Sequence, residues 1–237
     1  PDARRTLQRV LARASRSGPG RARGRGHGGL ILMIQGERFN GISHLVGAGL
    51  ALAGSAWLVV TAALSGDPWR IVSFSIYGLM LVLLYVFSTL YHSLRGRAKM
   101  VLRKLDHCAI YLLIAGSYTP FALVSLRGAW GWWLLGIVWT LAVLGIVQEV
   151  WLARGVRVLS LVIYLLMGWL ALVAVVPLWH ALQPAGFAGL LAGGACYSGG
   201  VYFYVNDERL RHGHGVWHLF VLAGSICHFV TVLLFVA

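Results

Sequence analysis

The sequence predicts an all-α membrane protein that crosses the bilayer seven times. Hydrophobic residues make up 59% of the 237 residues and charged residues only 11%, whereas a soluble domain is about half apolar and a quarter charged. The apolar residues fall in runs of about twenty, enough for a helix to cross roughly 30 Å of hydrocarbon. The period-two alternation of a transmembrane barrel is not seen. We therefore predict one polytopic helical domain over residues 33–237.

Seven apolar runs follow one another, separated by residues that are typical of turns. Gln183-Pro184 separates the fifth run from the sixth, and Asn206-Asp207-Glu208 separates the sixth from the seventh. The predicted helices are 40–64, 70–94, 106–126, 130–151, 157–178, 185–205 and 214–236.

Residues 1–32 differ from the rest because they are rich in Arg and Gly and contain almost no acid. A segment of this composition cannot bury enough apolar surface to fold, so we predict a disordered tail. It is either a targeting peptide or an extension outside the native protein, with Met33 as the true start. The second interpretation is favoured, and neither assigns chemistry to the tail.

The basic residues predict the orientation in the membrane. Nine of the twenty lie at or before Arg38, and nine more fall in loops on the same side as the amino terminus. The opposite loops carry only Arg70 and Arg127. Because cytoplasmic loops are enriched in Lys and Arg, we predict a cytoplasmic amino terminus and an outer carboxyl terminus. This placement also argues against nucleic acid as a partner, despite the net charge of +13.

Two histidines open the last apolar run, in the sequence His214-Gly-Val-Trp-His218. A spacing of four residues directs both imidazoles to one face of a helix, where they can hold one metal ion. Such a pair alone is a weak signal. It gains weight because other polar residues recur at run ends that the predicted topology places on the cytoplasmic side. They are Ser88 and His92, Asp106 and His107, and Glu37, Asn40 and His44.

These residues predict a zinc site with hydrolytic chemistry. Ionisable groups at membrane depth are costly and usually face the bundle interior and pair. His92, His214 and His218 supply three corners of a tetrahedral zinc site and leave the fourth for water. Ser88, one turn before His92, can orient a ligand or the water. Asp106 can accept a proton from that water, whose pKa zinc lowers to about 7.

Each residue also has a simpler interpretation. The three histidines can be hydrogen-bonding groups between helices, and Ser88 can bond the carbonyl four residues earlier. Asp106 can cap the third helix, since acids are favoured at helix amino termini. His107 is predicted to make an interhelical or supporting contact. His228, about 15 Å beyond His218 along the helix, is predicted to be an interhelical hydrogen-bonding group.

The first helix carries the remaining alternative. Glu37, Asn40 and His44 lie along a single helical stripe. They either anchor the first helix in a polar network or contribute to catalysis.

Several motifs in this order resemble the haemolysin III family, which belongs with the progestin and adipoQ receptors. The resemblance covers the chain from Met33 onward, and it implies a seven-helix bundle with an intramembrane zinc near the cytoplasmic face. The stretches that carry it are Glu37-Arg-Phe-Asn40-Gly-Ile-Ser-His44, Ser88-Thr-Leu-Tyr-His92, Leu105-Asp106-His107, Gly116-Ser117-Tyr118-Thr119-Pro120 and His214-Gly-Val-Trp-His218.

The resemblance also implies roles. The zinc ligands of adiponectin receptors correspond here to His92, His214 and His218, and the aspartate that binds the zinc water corresponds to Asp106. The superfamily includes alkaline ceramidases, which implies hydrolysis of a lipid amide or ester, with membrane lipids as partners. The short loops fit a bacterial member in the inner membrane. Bacterial members are named for a haemolytic activity, so the alternatives are a pore-forming protein and a receptor or homeostasis protein with structural zinc.

Overall fold

The computed structural model describes residues 37–152 and 157–237, and the predictions for residues 1–32 lie outside this range. Within it, the regular elements are all helices. The α-helices are α1 Arg38–Ser65, α2 Pro68–Ser93, α3 Gly96–Pro120, α4 Ala129–Val147, α5 Arg157–Gly168, α6 Val175–Val205 and α7 Gly213–Phe235. A π-helical turn follows α3 at Phe121–Ser125 and another follows α4 at Gln148–Leu152, while the 3-10 segment Leu170–Ala174 joins α5 to α6.

Six helical segments of the described chain are long and apolar enough to cross a membrane. The predicted all-α, multi-pass architecture is therefore confirmed, while the number of spans stays a prediction. The segments are Arg38–Ser65, Pro68–Ser93, Gly96–Ser125, Ala129–Trp151, Val158–Val205 and Gly213–Phe235.

The segment Val158–Val205 contains 48 residues and is interrupted inside α6. Gln183 has φ 58° and ψ 167°, which is not a helical conformation, and Pro184 follows it. Because proline disfavours the helical region for the residue before it, the two residues together break the helix. The break occurs where the sequence predicted a turn.

The third helix begins earlier than predicted, at Gly96 rather than at residue 106. Its first turns carry basic residues, including Arg97, Lys99 and Arg103, and these have good helix propensity. The hydropathy pattern marked where the helix becomes apolar, not where it starts. Asp106 consequently lies well inside α3, so the interpretation that it caps this helix is wrong.

The turn between α1 and α2 follows directly from its sequence. Gly66 adopts φ 67° and ends α1 in the left-handed conformation that glycine favours. The Asp67 side chain accepts a hydrogen bond from the backbone N–H of Trp69 at 2.9 Å, and Pro68 occupies the first helical position. These are the preferred residues for a helix start. The short turn holds α1 and α2 antiparallel, which brings the start of α1 beside the end of α2.

α3 is the central helix of the bundle. Of its most apolar 18 residues, 72% are buried, compared with 28% for α1. α2 packs against both α1 and α3, and its side chains Phe74, Tyr77 and Tyr85 are almost fully buried. α7 packs against both α6 and α1. The start of α1, the end of α2 and the start of α7 therefore meet at one end of the bundle, next to the first half of α3.

Candidate metal centre

Three histidines come together where the end of α2 meets the start of α7. His92 lies in the last turn of α2, and His214 and His218 lie in the first two turns of α7. One potential ligand atom from each residue lies within 4.8 Å of those of the other two. His92 and His218 are only 3% and 0% exposed. The residues that the sequence grouped as metal ligands are thus neighbours in the fold.

His218 is oriented by the start of α1. Its Nδ1 donates to the backbone carbonyl of Asn40 at 3.1 Å, and the Ser43 hydroxyl lies 3.3 Å from the same nitrogen. Because a carbonyl only accepts, the proton of the neutral ring resides on Nδ1 and leaves the lone pair on Nε2. Gly215 permits this approach, since a side chain there would overlap the ring of Phe39.

The other two histidines each face a carboxylate. Nδ1 of His92 lies 3.0 Å from Oε2 of Glu37, and Nδ1 of His214 lies 3.2 Å from Oδ2 of Asp207. A carboxylate partner of this kind fixes the orientation and tautomer of a metal-binding imidazole and makes it a better ligand. All three Nδ1 atoms are therefore engaged, which directs the Nε2 atoms toward a common ligand.

Glu37 is itself held by a cation. The Lys99 ammonium donates to both of its carboxylate oxygens, at 2.6 and 2.7 Å, and also lies 4.9 Å from the ring centre of Tyr91. Burial acts to raise the pKa of Glu37, but the hydrogen bonds from Lys99 and His92 outweigh it, so the pKa lies below its usual value. Glu37 is thus an ionised acceptor for the His92 ring.

The donor set fits a metal ion such as zinc. The Nε2 atoms of His92 and His218 are buried, and neither has a hydrogen-bond partner among the described residues. A buried polar atom without a partner costs about 1–3 kcal/mol. A cation shared with His214 would satisfy these lone pairs, and three neutral imidazoles are a common ligand set of zinc.

Ser88 lies one turn before His92 on α2, and Ser88 and Asp106 are both buried, with exposed fractions of 1% and 7%. The two side chains are close enough to interact electrostatically. However, the Ser88 hydroxyl makes no hydrogen bond of ordinary geometry to any described residue. It does not bond the carbonyl of Leu84, four residues earlier, so the back-bonding interpretation is wrong.

A cavity of about 120 Å³ lies in the bundle next to this site, and it is lined by His44, which stacks on His218, rather than by the three clustered histidines themselves. His44 and Asp106 line one end. Trp217 and His228, both on α7, line it as well, and eleven residues of helix span about 16 Å. A smaller cavity of about 40 Å³ adjoins it beyond Trp169. Most of the wall is apolar, with contributions from Leu84, Ile110, Leu113, Ile114, Leu161 and Leu165.

The three residues of the predicted stripe at the start of α1, Glu37, Asn40 and His44, make different kinds of contact. Glu37 bonds His92, and the carbonyl of Asn40 accepts from His218. Glu37 therefore behaves as the predicted polar anchor, whereas Asn40 contributes a backbone carbonyl rather than its side chain. His44 instead stacks on His218, with ring centres 3.6 Å apart and an angle of 12° between the planes.

Two further histidines make the interhelical contacts that the sequence predicted. Nδ1 of His107 on α3 lies 2.8 Å from Oε1 of Glu149, in the turn after α4. Nε2 of His228 donates to the backbone carbonyl of Leu190 on α6 at 3.2 Å. Neither residue belongs to the three-histidine cluster.

Three charged residues that take part in these contacts were not recognised from the sequence. Asp207 lay in a predicted turn, Lys99 counted only as an orienting charge, and Glu149 lay in the last turn of the predicted helix 130–151. In the sequence, these three residues stand out only as isolated charged residues near the predicted cytoplasmic side. Their partners lie on other helices, and spacing along one chain does not identify those.

The fold and this site together define a class, that of multi-pass helical membrane proteins with a buried three-histidine cluster. The sequence profile of the Haemolysin-III related family matches residues 32–229. The chain belongs to this family, and the resemblance inferred from its motifs is confirmed.

Individual relatives agree with the assignment. Over 204 residues the chain is 45% identical to Hemolysin-3 of Bacillus cereus, covering 86% of this chain and 93% of that protein. Over 206 residues it is 44% identical to the Hemolysin-3 homolog of Bacillus subtilis (strain 168), covering 86% and 96%. The human Monocyte to macrophage differentiation factor is 30% identical over 189 residues, with coverages of 77% and 76%.

Proposed function

We propose that this chain is an intramembrane zinc hydrolase that cleaves an amide or ester bond of a membrane lipid. The observation that carries the proposal is the convergence of His92, His214 and His218 within 4.8 Å, with each Nδ1 atom engaged by an acceptor. Three protein ligands, with a further position left for water or substrate, are typical of catalytic zinc sites.

The neighbouring side chains support a catalytic role for such a site. Zinc bound there would lower the pKa of a water molecule and polarise a carbonyl oxygen. The Asp106 carboxylate, which lines the cavity and lies near Ser88, would serve as the proton acceptor. The Ser88 hydroxyl would orient a polar group by hydrogen bonding. Both are buried, so bulk water does not compete for them.

The cavity supports a lipid as the substrate class. Its apolar wall offers a hydrocarbon chain a path away from the histidines, and its polar end offers the scissile bond two hydrogen-bonding groups, His44 and Asp106. A mostly apolar pocket with a small number of polar groups matches an amphiphile. We therefore propose a ceramide-like lipid amide, or an ester of similar shape.

We further propose seven spans with the site near the cytoplasmic face of a bacterial inner membrane. A continuous helix of the 48 residues Val158–Val205 would be about 72 Å long, more than twice the hydrocarbon thickness. The break at Gln183 supports two spans in its place. The nine-to-two bias of loop charges supports a cytoplasmic amino terminus. Alkaline phosphatase fused after Ala237 is expected to be active, and an inactive fusion together with a fluorescent GFP fusion would contradict this topology.

Metal analysis combined with lipid turnover tests the proposed activity. Protein purified in detergent is expected to hold one zinc ion per chain and to hydrolyse a fluorescent short-chain ceramide. His214→Ala with His218→Ala should lose both properties, whereas alanine at the exposed His180 should lose neither. Zinc without turnover of amide or ester lipids would identify a structural site. Absence of stoichiometric metal in the wild type would refute the proposal.

Membrane lysis is a second candidate function, favoured by the name of the Bacillus cereus relative, Hemolysin-3. Liposomes loaded with a quenched dye separate it from hydrolysis. Dye release by wild-type protein that persists in the double histidine variant would favour lysis. No release, together with ceramide turnover, would favour the hydrolase.

A further inference from the structure

His44 is a buried polar side chain whose hydrogen-bonding capacity is not used by the protein. It is 2% exposed, and neither ring nitrogen has a hydrogen-bond partner among the described residues. A neutral imidazole presents one donor and one acceptor. Leaving both unpaired in the interior costs about 1–3 kcal/mol for each group. Unpaired buried groups of this kind are the ones that a ligand can satisfy.

The ring of His44 is held firmly in place. It stacks on His218, and its edge meets Tyr85 with ring centres 5.0 Å apart and an angle of 86° between planes. The Tyr85 hydroxyl does not pair with it, because that hydroxyl donates to Ser225 at 2.8 Å. The neighbours therefore fix the ring by packing alone.

His44 adjoins the metal site without belonging to it. The cluster of converging ligand atoms in the described chain consists of His92, His214 and His218, and His44 is outside it. Instead His44 lines the cavity, at the same end as Asp106. The cavity thus has an acceptor carboxylate and an imidazole at the end where the proposed chemistry occurs.

We infer that His44 binds the polar head of the lipid in this cavity, its ring N–H donating to an oxygen of the amide or ester group. Asp106 offers the complementary acceptor, and the hydrocarbon chain extends along the apolar wall toward His228. No proton is transferred, and the neutral ring suffices. This inference rests on the proposed function and deepens it, because it assigns head-group recognition to a residue outside the ligand set.

Binding of two probes to purified protein in nanodiscs tests the inference. The first is an NBD-labelled six-carbon ceramide, and the second is an NBD-labelled hydrocarbon of equal length without the amide. His44→Phe keeps an aromatic ring against His218 but removes both nitrogens. It should weaken ceramide binding on the order of tenfold, as expected for one buried hydrogen bond. Hydrocarbon binding and zinc content should stay at wild-type levels.

Matched variants separate hydrogen bonding from packing. His44→Asn restores a polar N–H without the ring and should recover part of the ceramide affinity. His180→Phe makes the same change at an exposed position and should behave as wild type. In turnover, the His44→Phe defect should appear mainly in KM, since the lost bond is made in both the ground and transition states.

The outcomes distinguish this inference from the proposed function. Equal ceramide binding by wild type and His44→Phe overturns it, as does a wild type with no preference for ceramide over the hydrocarbon. If His44→Phe also loses zinc, His44→Asn decides, because failure to recover affinity in a zinc-containing His44→Asn protein overturns it. Wild-type protein that binds ceramide through His44 but cleaves neither ceramide nor an ester of similar shape refutes the hydrolase and leaves the recognition role standing.

Discussion

Two buried polar clusters occupy the same end of the bundle, and they differ in whether the protein completes their hydrogen bonds. The first comprises His92, His214 and His218 with their acceptors. The second, the Glu149 cluster, comprises His107, Tyr111, Gln148, Glu149 and Ser160. In it, Glu149 accepts from His107 and Ser160, both at 2.8 Å. The amide oxygen of Gln148 accepts from Tyr111 at 3.2 Å and, also at 3.2 Å, shares with Glu149 the single proton of the Ser160 hydroxyl.

The difference lies in the remaining atoms. No buried side-chain nitrogen or oxygen of the Glu149 cluster lacks a partner within the described chain, whereas Nε2 of His92 and of His218 both do. A satisfied network of this kind joins α3, α4 and α5 and needs nothing from outside. Lone pairs that converge without donors require a ligand. Similar residue types therefore serve stability in one cluster and binding in the other.

The largest expected effect is the loss of metal from the first cluster. His218→Ala removes a ligand and the ring on which His44 stacks, so zinc content should fall from one per chain to background. Glu149→Gln, a change in the other cluster, should leave zinc content unchanged. Metal analysis of both purified variants measures this. Equal zinc loss in the two would show that the clusters form one functional unit.

Breaking the Glu149 cluster should instead reduce stability. Glu149→Ala leaves His107 and Ser160 without their buried carboxylate partner, which should lower the free energy of unfolding by about 3 kcal/mol. Zinc affinity at a temperature where the variant is folded should remain near that of wild type. Unfolding in detergent, followed by tryptophan fluorescence, gives the first quantity. A variant as stable as wild type would mean that the network contributes nothing net.

The first of these two clusters could be predicted from the sequence, whereas the second could not. Turn residues and hydropathy located the helices, and polar residues at one predicted membrane side located His92, His214 and His218. The Glu149 cluster was not predicted because a π-helical turn at Gln148–Leu152 changes the direction in which the side chains point. The 3.6-residue periodicity of an α-helix does not predict such a turn.

The acceptors around the histidines were unpredictable for a related reason. Periodicity assigns a residue to a face of its own helix, and contacts such as Lys99 with Glu37 depend on which helix lies alongside. The start of α3 was missed because its basic first turns are helical without being apolar. In each case the sequence pattern correctly described one helix but carried no information about the helix packed against it.

A smaller effect is expected when an acceptor in the first cluster loses its charge. Glu37→Gln should weaken zinc binding by about 10- to 100-fold, because the amide orients the His92 ring less firmly and makes it a poorer ligand. Titration against a zinc chelator of known affinity measures the change. Lys104→Gln, at a residue that bonds the carbonyl of Val150, serves as the control and should leave zinc affinity unchanged. An unaltered zinc affinity in Glu37→Gln would show that the charge of Glu37 does not contribute to metal binding.

Tyr164 lies between the two clusters and gives the smallest and most discriminating prediction. Its hydroxyl donates to the backbone carbonyl of His107 at 3.0 Å, and its ring lines the cavity and packs against Tyr111. Tyr164→Phe keeps the ring and removes one hydrogen bond, so the free energy of unfolding should fall by about 1 kcal/mol, with zinc and ceramide binding unchanged. If ceramide binding weakened while stability stayed at the wild-type level, the Tyr164 hydroxyl would contribute to ligand binding in the cavity. Tyr164 would then belong to the binding cluster rather than to the stabilising one.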